Sequence, residues 1–178
     1  DENGKDVETG AIGEVIVRSG LPGAFTIMKG YFNRPEETAK SIRDGWFHTG
    51  DLAQRDADGY IYIVDRKKDM ILSGGFNIYS KEVEQTILEV EGVADVAVVG
   101  APDEIYGEAV AAFVELDPKK QAPTADDIIA HCRQSIASYK KPKYVVFVDA
   151  MPRNAVGKIL KHELATRARS EAVAKDVA

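Results

Sequence analysis

Residues 109–116, Ala-Val-Ala-Ala-Phe-Val-Glu-Leu, are apolar at every position but one. A run this short and this apolar suits a strand buried within a sheet, covered by other elements. The flanking sequence supplies candidate cover. Ser80 is placed to cap a helix from Lys81 to about Val90, with Val83, Ile87 and Val90 on one face. A strand is expected at Val93–Val99. Thr124-Ala-Asp-Asp127 reads as the capping-box start of a helix carrying Ile128, Ile129, Cys132 and Ile136. Tyr144–Val148 reads as a further strand, and Ile159 to about Lys175 as a terminal amphipathic helix.

The first third follows another pattern. Gly13–Ser19 alternates apolar and polar residues, as a half-buried strand does. Pro35-Glu36-Glu37-Thr38 opens a short helix, with proline at a first-turn position and acids at its positive end. Asp44-Gly45 ends it. Leu52–Asp56 and Tyr60–Asp65 form a hairpin around Ala57-Asp58-Gly59. Residues 1–65 are too few and too strand-rich to bury a core alone. The expected organisation is therefore an α+β chain with a boundary near Asp65-Arg66 and a compact domain of about 110 residues after it.

Charge limits the partners. The net charge is −6, and residues 1–65 carry 7 basic against 12 acidic side chains. Phosphate-backbone binding needs a net basic face, so nucleic acid is excluded as the main partner. The clusters Arg66-Lys67-Lys68, Lys140-Lys141-Pro142-Lys143 and Arg153/Lys158/Lys161 remain available to a small polyphosphate ligand; taken singly, most read as solvated surface charge. Cys132 is the one cysteine, so no intrachain disulfide is possible, and its apolar helical face makes it a buried small hydrophobe. No apolar run approaches 18 residues, so no transmembrane span is expected. The opening Asp-Glu-Asn-Gly-Lys has neither an initiator Met nor a signal-type stretch, and it reads as the interior of a longer cytoplasmic protein.

Several residues invite chemistry. Asp51, in Thr49-Gly50-Asp51, is read at a turn, where a carboxylate either closes an Asx-turn or accepts two hydrogen bonds from a diol. Arg66 offers a forked donor for ribose or phosphate oxygens, whereas Lys67 reads as a solvated charge. Ser73-Gly74-Gly75-Phe76 joins a strand to the helix at Ser80, and paired glycines permit close backbone approach. Glu82, near a helix start, reads as structural. His48, His131 and His162 lack metal-ligand spacing, and His48 reads as strand packing. Neither a Gly-x-Ser-x-Gly elbow nor a dinucleotide fingerprint is present.

Taken together, Gly45-Trp46-Phe47-His48-Thr49-Gly50-Asp51, Asp65-Arg66-Lys67-Lys68-Asp69, Ser73-Gly74-Gly75-Phe76 and Pro152-Arg153-Asn154-Ala155-Val156-Gly157-Lys158-Ile159 resemble the C-terminal end of the adenylate-forming acyl-CoA synthetases. The resemblance runs from about Gly10 to Leu164. It implies that residues 1–65 are an incomplete C-terminal β-subdomain segment of a large domain, and that residues 66–178 are a small mixed α/β lid domain that moves. It implies roles for single residues: Asp51 and Arg66 hold the adenylate, and Lys68 is the hinge. Ser73, Gly74, Gly75 and Phe76 line the pantetheine tunnel of CoA, while Lys158 binds ATP and is catalytic. Relatives usually carry Thr or Ser where Asn154 stands.

The implied activity has two half-reactions, with lid rotation between them. A carboxylic acid and Mg·ATP give an acyl-adenylate and pyrophosphate, and the CoA thiol then takes the acyl group. The run Asp65–Tyr79 looks most like fatty-acyl and aryl-CoA ligases, and fatty acyl is favoured. The phosphate loop and the Thr-Glu motif that bind Mg·ATP belong to an N-terminal part outside this sequence. The fragment alone is therefore expected to be inactive, to contribute no metal ligand, and to be prone to self-association through its exposed edge. Rival readings are the lid of a peptide-synthetase adenylation domain, a free-standing lid that binds CoA or a partner without catalysis, and regulatory acylation of Lys158.

Overall fold

The computed structural model describes the backbone of residues 1, 3–20 and 26–176, and side chains as far as Ser170. The chain divides into two compact units, Asp1–Lys68 and Asp69–Ala178.

In the first unit, β1 (Ile12–Arg18), β2 (Ile42–Arg43), β3 (Trp46–Arg55) and β4 (Ile61–Arg66) form one antiparallel sheet, and α1 (Pro35–Ser41) precedes β2. Strand β3 is the spine. Strand β1 runs along one edge, and β2 and β4 share the other, at Trp46–Phe47 and Asp51–Arg55 respectively. Proline stands in the first turn of α1 with Glu36 and Glu37, as expected. The hairpin is present, but β3 begins at Trp46 rather than Leu52, so the whole Trp-Phe-His-Thr-Gly-Asp segment is strand. Little here is buried: Leu52 and Ala53 are, whereas Tyr60, Ile61, Tyr62 and Ile63 of the outer hairpin arm are 50–68% exposed.

In the second unit, β5 (Ile71–Ser73), β6 (Phe76–Ile78), β7 (Val93–Asp103), β8 (Gly107–Leu116) and β9 (Tyr144–Val148) form a mixed sheet with α2 (Ser80–Leu88), α3 (Ala125–Ser135) and α4 (Lys161–Asp176). Strand β8 is the apolar run. Antiparallel β7 pairs along one edge, and parallel β9 lies on the other, with β5 meeting it at Gly107. Successive side chains of β8 alternate between two cores. Val110, Ala112 and Val114 pack with Val83, Ile87, Ile128 and Cys132 of α2 and α3. Ala109, Ala111 and Phe113 pack with Leu164 and Ala168 of α4. Helices on both faces explain why the run has no polar side. Burying Phe113 completely contributes on the order of 1.5–3 kcal/mol.

Thr124 and Asp127 make the expected capping box, with Asp127 N–H donating to Thr124 Oγ1 at 3.2 Å and Thr124 N–H to Asp127 Oδ2 at 2.9 Å. Cys132 is buried, and burial pushes its thiol pKa up to about 11, which suits a hydrophobe and not a nucleophile. Ser80 does not cap α2. Tyr79 holds the cap position with extended backbone, and Ser80, one residue inside, is fully buried with Oγ accepting from Lys161 Nζ at 2.8 Å. A serine at a helix start reads alike in either position; the long-range lysine decides between them.

Candidate functional site

Asp51 lies within a distorted strand and not at a turn. Between Glu14 and Ile16 the β1–β3 register slips, so that Val15 faces the three residues Thr49, Gly50 and Asp51. Such a bulge re-aims side chains. It is held by three bonds. Thr49 Oγ1 donates to the Val15 carbonyl at 2.7 Å and accepts from Asp51 N–H at 3.0 Å, and Gly50 N–H donates to Glu14 Oε1 at 3.2 Å. Gly50 has φ +72°, a conformation that favours glycine. On the other side of β3, Asp51 pairs directly with Arg66 of β4, and Arg66 Nε stands 2.8 Å from Asp51 Oδ1. Both side chains stay substantially exposed, at 35% and 45%. Arg66 Nη2 also reaches the Thr49 carbonyl at 3.5 Å; the carboxylate and guanidinium capacity left over is of the donor and acceptor kind that a ribose or phosphate requires.

Lys67 is not merely solvated. Its ammonium lies 3.1 Å from Oε2 of Glu14, whose side chain is only 14% exposed. Burial alone would raise the Glu14 pKa; the Lys67 ammonium, with His48 and the Gly50 N–H nearby, outweighs it and holds the carboxyl below its usual value. His48 Nδ1 is 3.5 Å from Glu14 Oε2 and has no hydrogen-bond partner among the described residues. Sequence reasoning missed Glu14, since its partners lie 36 and 53 residues away and nothing local marks it. A cavity of about 840 Å³, lined by Glu14, His48 and Lys67 among others, does not include Asp51 or Arg66. Lys68 is exposed, in the 3-10 turn Lys67–Asp69, and is the last residue of the first unit.

In the second unit, Gly74 and Gly75 are the two turn residues between β5 and β6, with φ +56° and +83°. Positive φ at both positions is the two-residue hairpin geometry that demands glycine. Gly74 N–H donates to the Tyr106 carbonyl at 2.9 Å, and a Cβ on Gly74 would stand 3.1 Å from the Tyr106 ring. Ser73 is half-buried in β5, and Phe76 is 55% exposed and stacked on Tyr139 with ring centroids 4.7 Å apart. Around this turn Leu72, Ile105, Tyr106 and Tyr139 are also exposed, an apolar patch that local sequence did not reveal. Both oxygens of Glu82 accept from Lys140 Nζ at 2.7 Å, an ion pair within this unit that is in keeping with a structural reading.

Lys158 sits on a tight hairpin. Arg153 and Ile159 form an antiparallel bridge, and Asn154 N–H donates to the Lys158 carbonyl at 2.9 Å. Asn154 Oδ1 accepts from Val156 N–H at 3.1 Å and Lys158 N–H at 2.9 Å. An amide oxygen thus does the backbone tying at this position. The Lys158 side chain is exposed, with no hydrogen-bond or ion-pair partner among the described residues. No group of three or more potential metal ligands occurs among the described residues, and no helix there is long and apolar enough to cross a membrane.

Residues 82–158 match the AMP-binding enzyme C-terminal domain. The chain is 48% identical, over 89% of its length, to the medium/long-chain-fatty-acid–CoA ligase FadD8 of Mycobacterium tuberculosis. It is 44% identical, over 96%, to a long-chain-fatty-acid–CoA ligase of Salmonella typhimurium. It spans 28% and 29% of those two relatives. Among solved structures it resembles the o-succinylbenzoate CoA synthetase of Bacillus subtilis, held with its acyl-adenylate intermediate. That match has a TM-score of 0.81 at 36% identity, covering 92% of this chain and 32% of the synthetase. Residues 82–158 belong to the AMP-binding enzyme C-terminal domain family, and the chain as a whole is the counterpart of the C-terminal portion of adenylate-forming acyl-CoA ligases.

Proposed function

We propose that this chain is the C-terminal part of an ATP-dependent fatty-acid–CoA ligase in which Lys158 serves the first half-reaction. The observation that carries this reading is the Lys158 hairpin, an exposed cation with no partner among the described residues on a loop tied by several hydrogen bonds. When a carboxylate oxygen attacks the α-phosphorus of ATP, the bond to pyrophosphate breaks and negative charge builds on the phosphoryl oxygens. A placed ammonium bridging carboxylate and phosphate holds the reactants in line and stabilises that charge. Asp51 and Arg66 hold the ribose and neighbouring oxygens of the adenylate. In the second half-reaction the CoA sulfur attacks the acyl carbon and AMP leaves; the turn Ser73–Phe76, with backbone exposed at Gly74 and Gly75, lines the pantetheine path.

Lys68 is the pivot by which residues 66–178, as a lid, present first Lys158 and then the glycine turn. Mg²⁺ accompanies ATP and would be held by residues outside this chain. The exposed arm Tyr60–Ile63 suits pairing with the rest of a large domain, and in isolation it favours self-association. The fatty-acid preference rests on the identity to the two fatty-acid ligases; an aryl acid is the alternative, in keeping with the synthetase structure.

The test separates the two steps in the full-length ligase carrying Lys158→Ala. Acid-dependent ATP–pyrophosphate exchange should fall by about 10²–10³, while thioester formation from supplied acyl-adenylate and CoA persists. Exchange that survives the substitution rejects the assignment. A panel of fatty and aryl acids with the wild-type enzyme identifies the substrate, and the isolated 178-residue chain should show no exchange above background.

A further inference from the structure

A second basic residue ties the Lys158 hairpin to the sheet. Arg153 lies five positions earlier, and its guanidinium is used twice. Nη1 donates to the carbonyl of Gly157, the peptide that leads into Lys158, at 2.9 Å. Nη2 pairs with Asp95 Oδ2. Asp95 stands near the start of β7, where the pairing with β8 slips between Val93 and Asp95. Its other oxygen accepts from Val96 N–H at 2.8 Å. A continuous path of bonds therefore runs from the β7 backbone through Asp95 and Arg153 to the Gly157 carbonyl.

Stability is a poor explanation for this path. The Arg153 and Asp95 side chains are 42% and 30% exposed, and ion pairs that open to water contribute little. What the path does control is a peptide plane. Gly157 has φ +81°, its N–H donates to the Asn154 carbonyl at 2.9 Å, and Asn154 Oδ1 holds the N–H of the Gly157–Lys158 peptide, so the Arg153 bond to the carbonyl fixes the opposite edge of that same plane. Fixing its carbonyl fixes the direction from which the Lys158 side chain leaves the backbone. Asn154 secures the amide side of Lys158, and Arg153 secures the carbonyl on the side before it. The forked geometry is specific to arginine, because a lysine ammonium is one point and cannot serve both acceptors as two aligned donors.

We infer that Arg153 and Asp95 are positioning residues for Lys158, so that the first half-reaction depends on an ion pair that touches no substrate. The inference rests on the Lys158 reading above. Misplacing a reacting group by about 1 Å costs on the order of 10² in rate, which sets the size of the effect.

The experiment uses the full-length ligase as Lys158→Ala, Arg153→Ala, Arg153→Lys and Asp95→Asn, with both half-reactions and a thermal melt measured for each. Arg153→Ala and Asp95→Asn should lower kcat of ATP–pyrophosphate exchange about 10- to 100-fold at nearly constant KM for ATP, with thioester formation from supplied adenylate within about twofold of wild type. Arg153→Lys should recover only part of the loss. If Lys158→Ala abolishes exchange and neither Arg153→Ala nor Asp95→Asn changes it, the inference fails and the proposed function stands. If Lys158→Ala leaves exchange intact, the proposed function itself fails. A fall with Arg153→Ala but not with Asp95→Asn means that Arg153 meets the ligand directly, which overturns a positioning role. Equal loss of both half-reactions with a lowered melting temperature marks a folding role and overturns it as well.

Discussion

Arg66 Nε stands 2.8 Å from Asp51 Oδ1, directly across the β3–β4 ladder and immediately beside a bulge that breaks the same strand. The pair orients both side chains before any ligand arrives. At 45% and 35% exposure its own contribution to stability is about 1 kcal/mol or less. Its worth is therefore expected in binding. Asp51→Ala in the full-length ligase should raise KM for ATP by about 10- to 100-fold, the loss of hydrogen bonds to a charged group, while the melting temperature barely moves. An unchanged KM would remove Asp51 from the nucleotide site.

The glycine turn makes a contrasting prediction, because its effect should fall on the other step. Alanine at Gly74 would have to hold φ +56° and bring a Cβ to 3.1 Å from the Tyr106 ring. The left-handed conformation alone costs about 1–2 kcal/mol. Gly74→Ala is expected to slow thioester formation from supplied adenylate and to leave exchange close to wild type. The reverse pattern would detach Ser73–Phe76 from the CoA path.

What could be read from the sequence, and what could not, divides by range. The burial of β8 was visible because eight consecutive residues report it, and the α3 capping box because Thr124 and Asp127 are three apart. The errors share one cause. Local sequence reads Asp51 as a turn residue, Lys67 as a solvated charge and Ser80 as a cap. In each case the deciding partner is remote: Val15 and Glu14 for the bulge, Glu14 for Lys67, Lys161 for Ser80. Local chemistry fits both alternatives, and only tertiary pairing separates them.

Asp103 gives a pH-dependent expectation. Its side chain is 1% exposed and pairs with Lys143 Nζ at 2.6 Å; the same carboxylate accepts from the N–H groups of Ile105 and Tyr106. The bond from Lys143, then those from the Tyr106 and Ile105 N–H groups, outweigh burial and hold its pKa below the ordinary 3.8, with the Lys143 pKa raised in turn. A depressed carboxyl stabilises the fold fully above its unfolded pKa, and that contribution disappears as pH falls through the folded value. Asp103→Asn in the full-length ligase should cost about 1–3 kcal/mol at neutral pH, with the gap to wild type narrowing below pH 3.8. Melting curves between neutral pH and pH 3 measure it, and a pH-independent gap would show that the charge is not responsible.

Asn154 tests whether the Lys158 hairpin must be rigid. Its Oδ1 holds Val156 N–H and Lys158 N–H together, and its backbone closes the bridge to the Lys158 carbonyl. Alanine keeps the backbone bond and deletes the two side-chain acceptances, which resemble a cap in kind and cost about 0.5–2 kcal/mol. On an exposed loop this loss should loosen the hairpin without unfolding the domain. Asn154→Ala is therefore expected to lower ATP–pyrophosphate exchange by about tenfold through kcat, since Lys158 then spends less time in line with the reactants. Thioester formation should be untouched. Asn154→Thr, which restores one acceptor, should recover most of the exchange rate; if it behaves like the alanine variant, a single acceptor does not suffice and the two-bond tie is what the loop needs.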